Sequence, residues 1–232
     1  MGAMTASTGP AGRPPGPLTV ADLAGMPDVG LMAHPMTAAG GDAVVVRPAT
    51  PDDVEPLAAV QVRAWQAAYP GIMPQAFLDG LDVGRRAAMW RDVLRALDVG
   101  RQVLIAVADG PADDPADGVL AGFAAFGPAR DGAGTAGLGE LYALNVDPSR
   151  WRIGIGSVLI GRVHAGLRAY GHGEAVLWVA TGNDRARRFY ERHGWYAEPV
   201  TQVVTDAFVG GELAETRYRR RLSTGHGGGV AP

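Results

Sequence analysis

The chain has 232 residues, 47% of them hydrophobic, with 21 basic against 24 acidic side chains and a formal net charge of −3. Every basic residue is Arg, and there is no Lys and no Cys. This excludes a Walker phosphate loop, a Schiff-base lysine, a disulfide, a thiol nucleophile and a cysteine zinc site. No window approaches the ~18 apolar residues of a membrane span. The start lacks the charged and apolar regions of a signal peptide, and the acidic balance argues against nucleic acid, so a cytoplasmic protein without membrane or nucleic-acid partners is expected.

Residues 1–42 hold eight Gly and six Pro, no aromatic residue and four charges, too little apolar surface to offset the entropy of ordering. They read as a disordered tail, with Met32 and Met36 as alternative starts, and residues 223–232 (STGHGGGVAP) have the same character. Residues 43–222 remain as a single domain of ordinary size. Ala43–Arg47 reads as a strand stopped by Pro48. Thr50-Pro51-Asp52-Asp53 then caps a helix to about Tyr69, whose apolar positions Val54, Leu57, Val62, Trp65 and Tyr69 recur at helical spacing. A second helical stretch over 74–97 is broken near Gly80–Gly84. Strands over 102–108 and 119–127 flank a turn-rich acidic linker. After the loop PARDGAGTAGLG come a strand over 140–146, a helix over 154–170 and a strand over 175–180. A short helix over 183–193 and a hairpin of 200–209 with 212–221 complete the domain. This succession is an α+β plan.

Gly154 and Gly156 lie between a strand and a helix, where backbone N–H groups can close on a phosphate. A dinucleotide fingerprint would need a third Gly where Leu159 stands and an acid ending the next strand, whereas Glu174 precedes it. Residues 150–192 carry eight Arg (150, 152, 162, 168, 185, 187, 188 and 192) against Glu174, Asp184 and Glu191, in a chain that is otherwise acidic. Solvated helix faces account for some of these. A surplus of five positive charges beside a glycine turn also suits a small polyanion. The histidines at 34, 164, 172, 193 and 226 share no ligand spacing, so no metal site is expected.

Three blocks in order, Glu140-Leu-Tyr-Ala-Leu-Asn-Val-Asp-Pro148, Gly154-Ile-Gly156-Ser-x-Leu159 and Asn183-Asp-Arg-Ala-Arg-Arg-Phe-Tyr190-Glu-Arg-His-Gly194-Trp195, resemble the GNAT superfamily of N-acetyltransferases. Val46-Arg47-Pro48-Ala49-Thr50 with Asp52-Asp53 resembles that family's first strand and helix. The resemblance covers about 43–222. It implies a central mixed, mostly antiparallel twisted sheet, splayed between its fourth and fifth strands and flanked by helices. It also implies acetyl-CoA as co-substrate, an amine acceptor on a small molecule or peptide, and no covalent enzyme intermediate. A homodimer is compatible with it. A departure falls at Trp151, where the family usually carries Gln or Arg.

The resemblance further implies that pantetheine lies between strands 140–146 and 175–180. Leu144, Asn145 and Val146 would stand beside the acyl group, and Arg152, Ile153, Gly154, Ile155, Gly156 and Ser157 would cradle the pyrophosphate. Asn183 resembles a pantetheine-contacting Asn, and as a residue is equally a plain N-cap. Tyr190 corresponds to a tyrosine that protonates the departing thiolate, and Glu140 to a general base; each is also compatible with a packing role. Tyr142 shares the Glu140 face of a regular strand as a second base candidate. Trp65 and Tyr69 would border the acceptor pocket or simply fill the core. A non-catalytic acyl-CoA-binding regulator, or an N-acyltransferase for longer chains, would use the same blocks.

Overall fold

The computed structural model describes residues 34–37, 43–109, 118–130, 137–206 and 210–222. The sheet has eight strands: β1 (His34–Thr37), β2 (Ala43–Pro48), β3 (Gln102–Ala108), β4 (Val119–Pro128), β5 (Leu138–Val146), β6 (Glu174–Ala180), β7 (Tyr196–Asp206) and β8 (Gly211–Arg221). They run β1-β2-β3-β4-β5-β6-β8-β7, antiparallel throughout except where β5 and β6 lie parallel. The helices are α1 (Val54–Ala68), α2 (Gln75–Asp79), α3 (Val83–Arg95), α4 (Ile155–Ala169) and α5 (Asp184–Arg192). The α+β architecture expected from the sequence is therefore the one observed.

Two apolar layers hold the helices to the sheet. Val54, Leu57, Val60 and Trp90 from α1 and α3 pack with Val103, Ile105 and Phe123 on one face. On the other, Ile155, Leu159, Ile160, Val163 and Leu167 of α4 pack with Leu104, Ala106, Phe126 and Leu141. Alternation along β3 divides its side chains between the layers, which is why this central strand reads as an unbroken apolar run. Trp195 enters the second layer and donates its indole N–H to His164 Nε2 at 3.1 Å, and burial pushes that imidazole down to about 3 and keeps it a neutral acceptor.

One expectation needs correction. The segment read as tail up to residue 42 contributes β1, paired in register from His34↔Val46 to Thr37↔Ala43. An edge strand is held through main-chain hydrogen bonds, which a Gly- and Pro-rich composition around it does not rule out. Residues 1–33, 38–42 and 223–232 lie outside the described residues. The splay lies between the two expected segments, which are the fifth and sixth strands once β1 is counted.

The splay follows from the register. β5 and β6 pair only from Leu138↔Glu174 to Leu141↔Leu177, after which β6 stays bonded to β8 and β5 to β4. At that point β5 carries a bulge. Ala125 faces Ala143 while Phe126 faces Leu141, so Tyr142 is an extra residue in the ladder. Tyr142 and Ala143 consequently both turn toward the α1–α3 layer. The edge of β5 beyond residue 141 is left without a strand beside it.

Candidate active site

The gap between the diverging strands opens into a cleft of about 890 Å³. Its lining includes the expected Glu140, Leu144, Asn145, Val146, Arg152, Gly154, Ile155, Gly156, Ser157, Asn183 and Tyr190. Ile153 is not among them: an apolar side chain at the turn packs against the α4 layer instead. Along β5 the main chain alternates. Asp147 N–H bonds Ala121 O on β4 at 2.8 Å, so Asn145 also points to β4, and the N–H groups of Leu144 and Val146 point into the cleft.

At the mouth, Gly154 has φ +100° and begins α4, while Arg152 has φ +71°, an uncommon conformation for a side-chain-bearing residue. Ser157 N–H and Val158 N–H fold back onto Gly154 O at 2.9 and 3.1 Å. The N–H groups of 152–156 have no main-chain partner among the described residues, and with the helix dipole they form an anion cradle. The contribution expected from the Ser157 N–H is thus spent inside the helix. Its hydroxyl meets His193 Nε2 at 3.0 Å, and His193 Nδ1–H donates to Phe189 O at 2.8 Å, fixing Nε2 as the acceptor. A Cβ on Gly156 would stand 3.2 Å from the Phe189 ring, a contact tight enough that the ring would have to shift by a few tenths of an ångström.

Five of the eight clustered arginines, 150, 152, 185, 188 and 192, line the cleft. Arg185 matters in a way the sequence did not reveal. Its guanidinium lies 3.2 Å from the ring centroid of Trp151, whose indole N–H donates to Val146 O at 2.8 Å. Desolvation against the ring and neighbouring Arg152 hold the Arg185 guanidinium below its ordinary value. A cation is thus brought to the turn from α5, with Trp151 as its platform.

Deeper in, Tyr190 is 8% exposed and meets Phe189 and Trp195 edge-on. Burial, with a smaller push from Tyr69, raises its phenol above the ordinary range. Asn183 is fully engaged as a cap: its Oδ1 accepts from Ala186 N–H at 3.1 Å, its main chain bonds Ala180 O and Arg187 N–H, and its amide also meets the Tyr69 hydroxyl. At most one amide hydrogen remains for the expected ligand contact.

Glu140 is wholly buried, and its carboxylate is enclosed by Arg130. The Arg130 backbone N–H reaches Oε2 at 3.0 Å, and Nε reaches Oε1 at 3.1 Å with Nη2 alongside. With Oε1 held by the guanidinium and Oε2 by a main-chain N–H, the carboxylate is poorly placed to reach an acceptor amine. Tyr142 is no better placed: it donates to Pro128 O at 2.6 Å, and burial raises its phenol above the ordinary range. Trp65 and Tyr69, 5.5 Å apart and edge-on, both line the cleft with Trp178, Val204 and Leu213, so they serve as core and wall at once. Among the described residues no group of acidic or His side chains could hold a metal ion, and no helix is long and apolar enough to cross a membrane.

A splayed parallel strand pair, a bulge before it and a glycine-begun helix at its mouth define an acyl-CoA-type transferase fold. Residues 86–195 match the acetyltransferase (GNAT) family. The chain is 30% identical over 140 residues to the uncharacterized N-acetyltransferase YuaI of Bacillus subtilis (strain 168), covering 60% of this chain and 73% of that one. It belongs to the GNAT family of acetyltransferases. The fold is shared with PaiA N-acetyltransferase of Thermoplasma acidophilum, solved in complex with coenzyme A (TM-score 0.55, 20% identity, 77% of this chain and 98% of that one). It is also shared with yncA of Salmonella typhimurium, solved with its cofactor acetyl-CoA (TM-score 0.55, 20% identity, 81% and 99%).

Proposed function

We propose that the protein is an acetyl-CoA-dependent N-acetyltransferase that moves the acetyl group directly to a primary amine of a small molecule or peptide. The observation that carries this reading is the continuity of the cleft, which runs from the N–H groups of 152–156 past the open edge of β5 to Tyr190 and the aromatic wall of Trp65, Tyr69 and Trp178. In this reading the turn and Arg185 bind the pyrophosphate, and the inward N–H groups of Leu144 and Val146 hold the acyl carbonyl and the negative charge that develops on it. Tyr190, kept protonated by burial, donates to the departing sulfur. Glu140 serves through Arg130 to fix the floor of the cleft.

The test is calorimetric titration with acetyl-CoA, followed by a mass-spectrometric screen of polyamines, amino acids, amine antibiotics and peptide termini for a 42-Da gain, about one acetyl group. Acetyl-CoA binding with an acetylated amine is expected. Binding with no acetylated amine in any class would favour a regulator over an enzyme.

A further inference from the structure

The acceptor end of the cleft contains a second carboxylate, which the steps above leave unused. Glu215 sits on β8 in register with Ala180 of β6 on one side and Gln202 of β7 on the other, and it lines the cleft with Trp178, Val204 and Leu213. Its Oε2 accepts from Gln202 Nε2 at 2.8 Å, which leaves Oε1 for another donor. Among the described residues two neighbouring polar atoms are buried without a hydrogen-bond partner: the indole N–H of Trp178, which lines the cleft, and Oε1 of Gln202 behind Glu215. A cleft wall with such a group beside a carboxylate suits a polar ligand.

The groups that act on Glu215 come from every element around it. They are the Tyr69 hydroxyl at the end of α1, Arg130 after β4 and Glu140 on β5, while Arg217 of its own strand is taken by Glu198. Burial raises the Glu215 carboxyl, Gln202 and Arg130 pull it partly back, and Glu140 adds to the rise. Tyr69 acts on both Glu215 and Tyr190, so the carboxylate and the proposed acid share one neighbour. Unlike Glu140, this carboxylate is not enclosed by a guanidinium.

Resting on the N-acetyltransferase reading, we propose that Glu215 binds the ammonium of the acceptor and is the base that deprotonates it. One proton passes from R–NH3⁺ to Glu215, freeing the nitrogen lone pair. The nitrogen then bonds to the acetyl carbon and the carbon–sulfur bond breaks. Tyr190 protonates the sulfur and is restored by a second nitrogen proton, and Glu215 returns its proton to solvent. The products are R–NH–acetyl, free thiol and one released proton. With aromatic and aliphatic walls around a carboxylate, and with Arg130 engaged by Glu140, the acceptor class is a cationic primary amine on an apolar or aliphatic body.

The experiment measures kcat against pH with 2-phenylethylamine and with spermidine, and acetyl-CoA affinity by calorimetry, in the wild type, Glu215→Gln and Gln202→Leu. Glu215→Gln should lose about 10²- to 10³-fold in kcat with acetyl-CoA affinity within about twofold. The wild-type log kcat should level off above an acid limb, whereas the variant should climb with unit slope toward the amine's own pKa of about 10. Gln202→Leu, which removes a bond favouring the ionised carboxylate, should move the acid limb to higher pH. That shift decides the matter if Glu215→Gln does not fold. A Glu215→Gln variant that keeps the wild-type plateau, or a Gln202→Leu limb that does not move, overturns the assignment. A wild type that acetylates other amines of the screen but neither of these overturns the acceptor class, whereas one that binds acetyl-CoA and acetylates no amine overturns the amine reading itself, and this assignment with it.

Discussion

The two ends of the cleft are built on opposite principles. The mouth is made of main-chain N–H groups and exposed arginines supplied by one stretch, 150–192. The acceptor end is made of side chains from α1, α3, the loop after β4, β5, β6, β7 and β8, largely apolar, with Gln61, Arg130, Glu140 and Glu215 among its polar groups. Backbone donors at a helix start hold an anion largely irrespective of side chain, so the mouth depends on chain path. The acceptor end depends on which residues the topology brings together, and that is where specificity can differ among proteins sharing this fold.

The contrast is sharpest at the residue where the two ends meet. Tyr190→Phe keeps the ring and its packing against Trp195, and removes only the phenol hydrogen. It should lower kcat by about 10² to 10⁴, leaving acetyl-CoA affinity within about twofold. Steady-state kinetics and calorimetry on the same preparation check it. A loss of affinity in place of rate would move Tyr190 from the chemistry to the binding wall.

Arg185→Ala tests whether the mouth's one stacked side chain matters beside its backbone cradle. It leaves Trp151 in place and removes the cation 3.2 Å above it. Acetyl-CoA affinity should fall about tenfold, as for losing one charged contact of ~1.5 kcal/mol. The wild-type affinity should also weaken with added salt more steeply than the variant's. Unchanged kcat at saturating acetyl-CoA would confine the effect to binding.

The same contrast decides what could be read in the sequence. Gly154 and Gly156 are legible because a turn at a helix start shows in local spacing, Tyr190 is a candidate only through the family resemblance of its block, and the helix and strand order is legible because hydrophobic periodicity is local too. Glu215 stands in a polar-looking β8 stretch, ELAETRYRRR, and only the β6–β8–β7 register brings it to the cleft. Arg185 was counted among the cations, but its position above Trp151 depends on α5 packing near the turn after β5. Glu140 was legible as a carboxylate next to the acyl site, while its partner Arg130 lay in a loop with no periodicity to place it. The Tyr142 bulge and β1 are pairing events, and pairing is not written in one strand alone.

An ion pair outside the cleft lining ties α1 to the end of β5, and removing it should have the smallest effect. Arg63 of α1, on the acceptor side, donates through Nε and Nη2 to Asp147 Oδ2 at 2.8 and 2.5 Å. Asp147 lies at the end of β5, where its Oδ1 accepts from Ser149 N–H and Oγ at 3.0 and 2.7 Å. Burial alone would raise this carboxyl, but the bonds from Ser149 and Arg63 outweigh it and hold it below the usual carboxylate range. A depressed folded-state value means that the stabilisation is fully present above the unfolded value of about 3.9 and is lost as pH falls through the folded one. Asp147→Asn should therefore melt lower than wild type at pH 7, and the gap should close as the pH drops below about 4. Because the Arg63 side chain is 50% exposed, solvent screens the pair, and about 1 kcal/mol, or roughly 2–4 °C in Tm, is the expected size. Melting curves from pH 7 down to about pH 2 measure it. A gap that persists at the acid end would mean that Asp147 holds the turn by shape and hydrogen bonding rather than by charge, and that the tie between α1 and the end of β5 does not depend on Arg63.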